Sequence, residues 1–272
     1  MRRLLLAALV AVVAQSAYAA DPADLPILRG AFREPTPVSF RTIWQGVYVG
    51  GQAGYGASNM MFGAYNSDLV SRLLSNPLVT QDVVLPSWPV LESATHRNSV
   101  FGGFAGYNAQ FENVVIGIEG NYVHGMFSGS ASGRNTLWTP IGPNMLRADT
   151  VSEAALSVSD FGSLRIRGGY TTGSFMPYLF AGVAMGWGET NRYVATQYTL
   201  FNSASGQIVS GPVTYPLRET TNQFLYGFSA GAGIDWMLFS GLFLRAEYEY
   251  LQFTSSINTS IQTGRVGIGY KF

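Results

Sequence analysis

The chain of 272 residues has two histidines, His96 and His124, and no cysteine. A metal centre needs several clustered His, Cys or carboxylate ligands, and two histidines make a poor start. A hydrolytic site at the outer rim would need His124 beside a serine or aspartate partner, and Ser128 and Ser130 follow it in the run FSGSASG. That run reads as ordinary polar chain, so solvated histidines are the simpler assignment. The glycine runs GVYVGGQAGYG and AGAGID lack both the G-x-G-x-x-G spacing and a helix to follow it. The remaining reactive groups alternate with apolar residues: Glu119, Arg165, Arg167, Asp235, Arg245, Glu247, Glu249, Arg265 and Lys271. Their signs nearly cancel. Facing water they would be unremarkable, but inside a confined space they must pair, because an unpaired buried charge is costly.

The elements that position these charges are strands. LRIRGGY sets Leu164, Ile166 and Tyr170 against Arg165, Arg167 and Gly169, LRAEYEYLQF sets Leu244, Ala246, Tyr248 and Tyr250 against Arg245, Glu247 and Glu249, and RVGIGYKF alternates throughout. The same period of two runs through WQGVYVGGQAGYG, SVFGGFAGYNAQF, VVIGIEGNYVHGM, PYLFAGVAMGWGE and QFLYGFSAGAGIDW. This gives eight strands. The intervals between them alternate between long and short. NPLVTQDVVLPSWPVL, NTLWTPIGPNM and VATQYTLFNSASGQIVSGPVTYPL fall in three long intervals, expected as loops. TTGSF and MLFSG are tight turns.

Composition decides what surrounds these strands. Charged residues make up 12% of the chain, about half the usual share, so the exterior is not an ordinary water-facing surface. Aromatics reach 14% and there are 32 glycines. A formal net charge of zero gives no case for a nucleic-acid partner. Arg2 and Arg3, the apolar run from Leu4 to Ala14 and the small residues Ala17 and Ala19 form an export leader over 1–19. Pro22, Pro26, Pro35 and Pro37 mark 20–43 as a periplasmic arm, and 44–272 is the folded domain. The apolar run of the leader is short for a spanning helix, which needs about 20 residues. The other way to cross a bilayer is a closed β-barrel, because every backbone N–H and C=O must find a partner inside lipid. The sequence thus predicts an all-β, eight-stranded antiparallel up-and-down transmembrane barrel with short periplasmic turns and long extracellular loops.

Two orientations compete. Apolar faces turned inward would make a lipocalin-like carrier. Apolar faces turned outward would meet lipid, with aromatics banded at both rims. The second is preferred, because the other faces are mostly glycine with a few charges, a poor solvent face. The upper band is then Tyr55, Tyr122, Trp187, Tyr226 and Tyr250, and the lower is Trp44, Tyr170, Trp236, Tyr270 and Phe272. The charges fall inside, where an eight-stranded barrel has just enough width for its side chains. A filled, salt-bridged interior is expected, with a narrow diffusion channel and a rim-active hydrolase as alternatives. No catalytic residue, cofactor or metal ligand is assigned.

The segments ADPADLP, WQGVYVGGQAGYG, VIGIEGNY, LRIRGGY, PYLFAGVAMG, AGAGIDW, LRAEYEYLQF and GRVGIGYKF together resemble the small outer-membrane β-barrel surface proteins of alphaproteobacteria, of rhizobial and Brucella type. More distantly the chain is similar to the OmpA and OmpX membrane barrels, without a peptidoglycan-binding domain after the barrel. The resemblance implies a location in the outer membrane of a Gram-negative bacterium. It implies contact with outer-membrane lipid and lipopolysaccharide, and roles in envelope integrity and adhesion to a host or surface ligand. Some members bind haem. It further implies that Tyr270 and Phe272, closing the last strand, are read by the barrel-assembly machinery during insertion.

Overall fold

The computed structural model describes residues 42–74 and 91–272. The expected leader, most of the N-terminal arm and nearly all of the NPLVTQDVVLPSWPVL run lie outside the described residues. Eight strands follow in chain order: β1 (Gly46–Gly63), β2 (Leu91–Phe111), β3 (Val114–Ile141), β4 (Asn144–Tyr170), β5 (Phe175–Asn202), β6 (Ile208–Met237), β7 (Leu242–Phe253) and β8 (Asn258–Lys271). One helix, α1 (Ser67–Leu74), lies between β1 and β2. Each strand pairs antiparallel with its neighbour, and β1 pairs with β8 from Tyr48–Lys271 to Met61–Asn258, closing the ring.

The direction of the side chains settles the orientation. Ile166 and Leu179 on the outer wall are 66% and 69% exposed, whereas Arg165, between Leu164 and Ile166, is 1% exposed. Val47, Val49, Ile116, Ile118, Val183, Phe228, Val266 and Ile268 also face outward. A wall apolar outside and charged inside suits lipid, and the lipocalin-like orientation is overturned.

The periplasmic connections are tight, as expected. Glu112 takes a positive φ of 54° between β2 and β3, Gly173 bends the chain between β4 and β5, and Gly241 does so between β6 and β7. The extracellular side differs from the expectation of long loops. β3 and β4 run on until a turn at Gly142 and Pro143, and β5 and β6 run on to a turn around Gly206. NTLWTPIGPNM and VATQYTLF are therefore largely strand, and β3–β6 form a four-stranded sheet standing above the barrel. Above the hydrocarbon, both faces of a strand can be polar, so the period-two signal fades while the backbone ladder continues.

Helix α1 braces the inner face of this extension. Leu69, Val70 and Leu74 are buried against Ala148 of β4 and Val194 of β5. The Tyr198 hydroxyl donates to the Leu73 carbonyl at 2.7 Å. Arg192 of β5 pairs with Asp68 at 2.8 Å and with Glu219 of β6, which also accepts from Arg72 at 3.0 Å. Asp68 in the first turn and Arg72 in the last suit the helix dipole. The short helix is thus held by apolar contact plus ion pairs to two strands.

Trp44 is corrected from its expected place in the lower aromatic band. It is buried, not lipid-facing, with its ring edge-on to Phe243 at 6.0 Å inside the periplasmic mouth. Its backbone N–H donates to Gln110 Oε1 at 2.7 Å, and Asn108 Nδ2 donates to its carbonyl at 3.3 Å. Gly46 then turns the chain outward with a φ of 132°, against the Phe272 carbonyl where a Cβ would collide. Replacing Trp44 by alanine should cost about 3 kcal/mol, the usual scale for a buried large aromatic. Urea unfolding in detergent micelles checks this; an unchanged midpoint would show that Trp44 does not fill the mouth.

Candidate functional site

The feature that sets what this barrel can do is its filling. Four carboxylates and four guanidiniums are buried across its middle: Glu119, Asp235, Glu247, Glu249, Arg165, Arg167, Arg245 and Arg265. The ladder itself brings them together. Glu119 lies opposite Arg165, Asp235 opposite Arg245, and Glu247 opposite Arg265. Opposite charges at such positions attract across the strand pair. Room comes from facing glycines: Gly106 beside Glu119, Gly182 beside Arg165, Gly267 beside Arg245 and Gly54 beside Arg265. At Gly182 an added Cβ would run into the Arg165 side chain and the backbone beneath it.

Glu119 is the hub. One oxygen accepts from Arg165 Nε at 3.0 Å and from Arg165 Nη2. The other accepts from the Tyr48 hydroxyl at 2.7 Å, Arg245 Nη1 at 2.8 Å and Arg167 Nη1 at 3.1 Å. Asp235 takes Arg245 Nε at 2.9 Å and Arg167 Nη2 at 2.6 Å. Glu247 takes Arg165 Nη1 at 2.9 Å, Arg265 Nη2 at 2.5 Å and the Tyr178 hydroxyl at 2.8 Å. Glu249 accepts from Ser163 Oγ at 3.0 Å and lies 2.5 Å from Arg265 Nη2. Aromatic faces shield the guanidiniums: Arg167 lies 3.8 Å from the Tyr178 ring centre, Arg245 3.9 Å from Phe104 and Arg165 4.0 Å from Phe180.

Apolar layers lie on either side. Toward the periplasm, Trp44, Val115, Met176, Met237 and Phe243 fill the mouth. Toward the outside, Val123, Phe127, Phe161, Leu225, Leu251, Phe253 and Ile261 form a second plug. Every expected interior charge joins the network except Lys271. That residue stands at the periplasmic rim, where its ammonium donates to the Gln45 carbonyl at 3.2 Å. The period-two pattern places it on the inner side, but β8 ends there, and a long flexible stem at an open mouth reaches the rim and water.

The aromatic bands otherwise stand where expected, with Tyr55, Tyr122, Trp187 and Tyr226 outward above and Tyr170, Trp236, Tyr270 and Phe272 outward below. Tyr250 is half-buried in the upper band. Phe101 and Phe224 join the upper band and Phe111, Phe175 and Phe239 the lower, all unassigned from sequence. The terminal rings of Tyr270 and Phe272 meet edge to face at 5.2 Å, and the Phe272 N–H donates to the Val47 carbonyl at 2.9 Å.

His124 lies on the outer wall within the upper band. Its Nδ1 is 2.7 Å from Asp160 Oδ1, which also accepts from the Tyr122 hydroxyl at 2.6 Å. Ser159 Oγ donates to the other Asp160 oxygen at 2.9 Å. A bulge at this level, between Val158 and Asp160, turns Asp160 outward. A serine hydrolase would place a serine hydroxyl on the imidazole. Here the carboxylate collects both hydroxyls instead, and Ser128 lies four residues along β3, roughly 13 Å away by strand rise. His96 lies apart on β2, opposite Ser58 of β1. Among the described residues no group of three or more His, Cys, Asp or Glu could hold a metal.

Glu119→Ala should leave three buried guanidiniums short of a partner and cost about 3–5 kcal/mol. The measurement is the temperature at which the SDS-resistant folded band converts to the unfolded one. A wild-type transition in the variant would contradict the role of Glu119 as hub.

Comparison with known proteins agrees with this geometry. The family model described as "Outer membrane protein beta-barrel domain" matches residues 5–272. The 25 kDa outer-membrane immunogenic protein of Brucella ovis is 31% identical over 171 residues, which is 63% of this chain and 62% of that relative's length. The 31 kDa outer-membrane immunogenic protein of Brucella melitensis is 27% identical over 292 aligned positions, covering 100% of both. Among solved structures, Neisserial surface protein A aligns at 13% identity and a TM-score of 0.34, over 84% of this chain and 97% of that one. The chain is an outer-membrane protein, and it belongs to the outer membrane protein beta-barrel domain family.

Proposed function

We propose that this barrel acts as a non-conducting, non-catalytic surface protein, stiffening the envelope and presenting the β3–β6 extension and α1 for contact outside the cell. One observation carries the reading: the interior is filled in three stacked layers, apolar, ionic and apolar. A continuous water path would have to cross Phe127, Leu225 and Phe253 at one level and Trp44 and Phe243 at another, all buried and packed. The ionic layer has as many buried carboxylates as guanidiniums, so it offers a passing ion little net charge to follow. Partners on this reading are the surrounding lipid and lipopolysaccharide, and a host or surface ligand at the extension. The serine form of the rim hydrolase lacks support because Asp160, not His124, gathers the hydroxyls. The His124–Asp160 contact at 2.7 Å supplies the pair its aspartate form needs, and loss of any hydrolytic activity in His124→Ala is the test of that second reading.

Planar-bilayer recording of the purified protein tests the first part. Silence is expected, and discrete openings in the wild type would favour the diffusion channel. The exposed Tyr270–Phe272 pair supports reading by the assembly machinery, since both rings remain accessible at the free end of β8. Removing Phe272 should strongly lower the heat-modifiable fraction in the outer membrane while refolding in detergent continues. Equal insertion with and without Phe272 would remove that role.

A further inference from the structure

The upper end of the β3–β6 extension differs in composition from the sheet beneath it. No residue from Asn135 to Leu146, around the β3–β4 turn, is charged, and none from Tyr193 to Leu217, around the β5–β6 turn. In water an exposed charge is freely solvated, so a water-facing sheet has no reason to lack one. In place of charges the tip exposes apolar side chains: Trp138, Ile208, Val209 and Val213 are 46–58% exposed. Trp138 packs on Phe201 with ring centres 5.7 Å apart, and Phe201 lies opposite Ile208, so the patch crosses the sheet. An exposed apolar patch of this kind marks a contact surface.

The backbone of the tip is satisfied from within. Asn202 Oδ1 accepts from the N–H groups of Ala204 and Ser205 at 3.0 Å, the Asn202 carbonyl from that of Gly206 at 2.8 Å, and the Pro143 carbonyl from that of Ser203 at 3.1 Å. The last bond ties the two turns together. Above His124, β2 no longer pairs with β3, and above Gly227, β7 no longer pairs with β6, so both outer strands of the extension are sheet edges. Pro140 on β3 and Pro212 and Pro216 on β6 stand on those edges, where a proline leaves no donor unpaired and offers an added strand no N–H. An extended peptide is thereby disfavoured, and an apolar medium, which penalises unpaired donors, is suited. Charges return just below. Arg147 folds onto Asp149 at 2.8 Å with its guanidinium 5.5 Å from the Trp138 ring centre, and Arg134, Glu153 and Arg218 follow on lower rungs. The charge-free zone above Arg147 spans three rungs, about 10 Å by strand rise, which matches the depth of the headgroup-to-acyl boundary of a bilayer. An indole at the lower limit of that zone suits a membrane interface, where its amphipathic ring sits at headgroup level.

We propose that the tip of the β3–β6 extension inserts shallowly into the interface of a second lipid bilayer, one that faces the cell. The protein's own leaflet is out of reach, because Trp138 lies fourteen residues beyond His124 of the upper band, about 45 Å along β3 by strand rise. The proposal deepens the surface reading above by naming the partner of the extension, and it rests on that reading. The charged rungs from Arg147 downward limit the depth of entry, and α1 braces the sheet below the tip through Ala148 and Val194.

The test holds the full chain in nanodiscs, fixed to beads by their scaffold protein, and adds protein-free phosphatidylcholine vesicles carrying an encapsulated dye. Dye retained after washing reads vesicle capture. The wild type should capture at least ten-fold more than empty nanodiscs. A variant with Trp138→Ser and Val209→Asp should fall to the empty-nanodisc level while its heat-modifiable band stays unchanged. Ser130→Asp, which adds a charge on a lower rung of the same sheet, should capture as the wild type does. Wild-type capture no greater than that of empty nanodiscs would overturn the proposal and leave the tip to a protein partner. Undiminished capture by the tip variant, or an equal loss in Ser130→Asp, would also overturn it. Heat-modifiability and bilayer conductance report on the barrel separately, so failure of the tip contact is distinguishable from failure of the surface reading.

Discussion

Inside the hydrocarbon of a membrane, each unpaired backbone N–H or C=O costs several kcal/mol, and this constraint governs the rest of the structure. The β1–β8 seam meets it, running from Tyr48–Lys271 to Met61–Asn258 with no free edge at membrane depth. Closing eight strands fixes the interior width. The outer wall must then be apolar, and whatever is polar is pushed inward. A water-soluble protein of the same pattern would be folded the other way round.

The ionic layer follows from that inversion. A buried guanidinium is tolerable only when its charge and its hydrogen bonds are met. Arg165 reaches Glu119 and Glu247, while Arg245 reaches Asp235 and Glu119, so the network crosses the lumen as well as running along its wall. Glycine is the geometric partner of this chemistry, since a Cβ at Gly54 or Gly182 would occupy the space of Arg265 or Arg165. The high glycine content and the low charge content of the chain are thus two aspects of one design, large paired groups facing residues with no side chain.

Much of this was legible because lipid imposes a strict rule on strands. VVIGIEGNY, LRIRGGY and LRAEYEYLQF can satisfy it in only one register, which fixes both faces and the charges between them. Where lipid ends, the rule ends. The upper halves of β3 to β6 have mixed faces, so NTLWTPIGPNM and VATQYTLF, which read as loops, are largely strand, and α1 within the first long interval carries no period-two signal. Trp44 misled because an aromatic beside a rim fits a girdle equally well, and only the turn at Gly46 sends it inside. Asp160 joined His124 and Tyr122 through a one-residue bulge at Ser159, an irregularity that alternation cannot foresee.

The central claim is that this ring has an apolar exterior in lipid and a filled interior sealed from it. Trp236 and Trp44 test it well, since both lie near the periplasmic rim and only Trp236 faces outward. Single-tryptophan variants would be reconstituted in bilayers whose lipids carry bromine on the acyl chains near the headgroup. The account predicts strong fluorescence quenching of Trp236 and of Trp187, and little quenching of Trp44. Quenching of Trp44 with Trp236 spared would mean that the two faces are reversed.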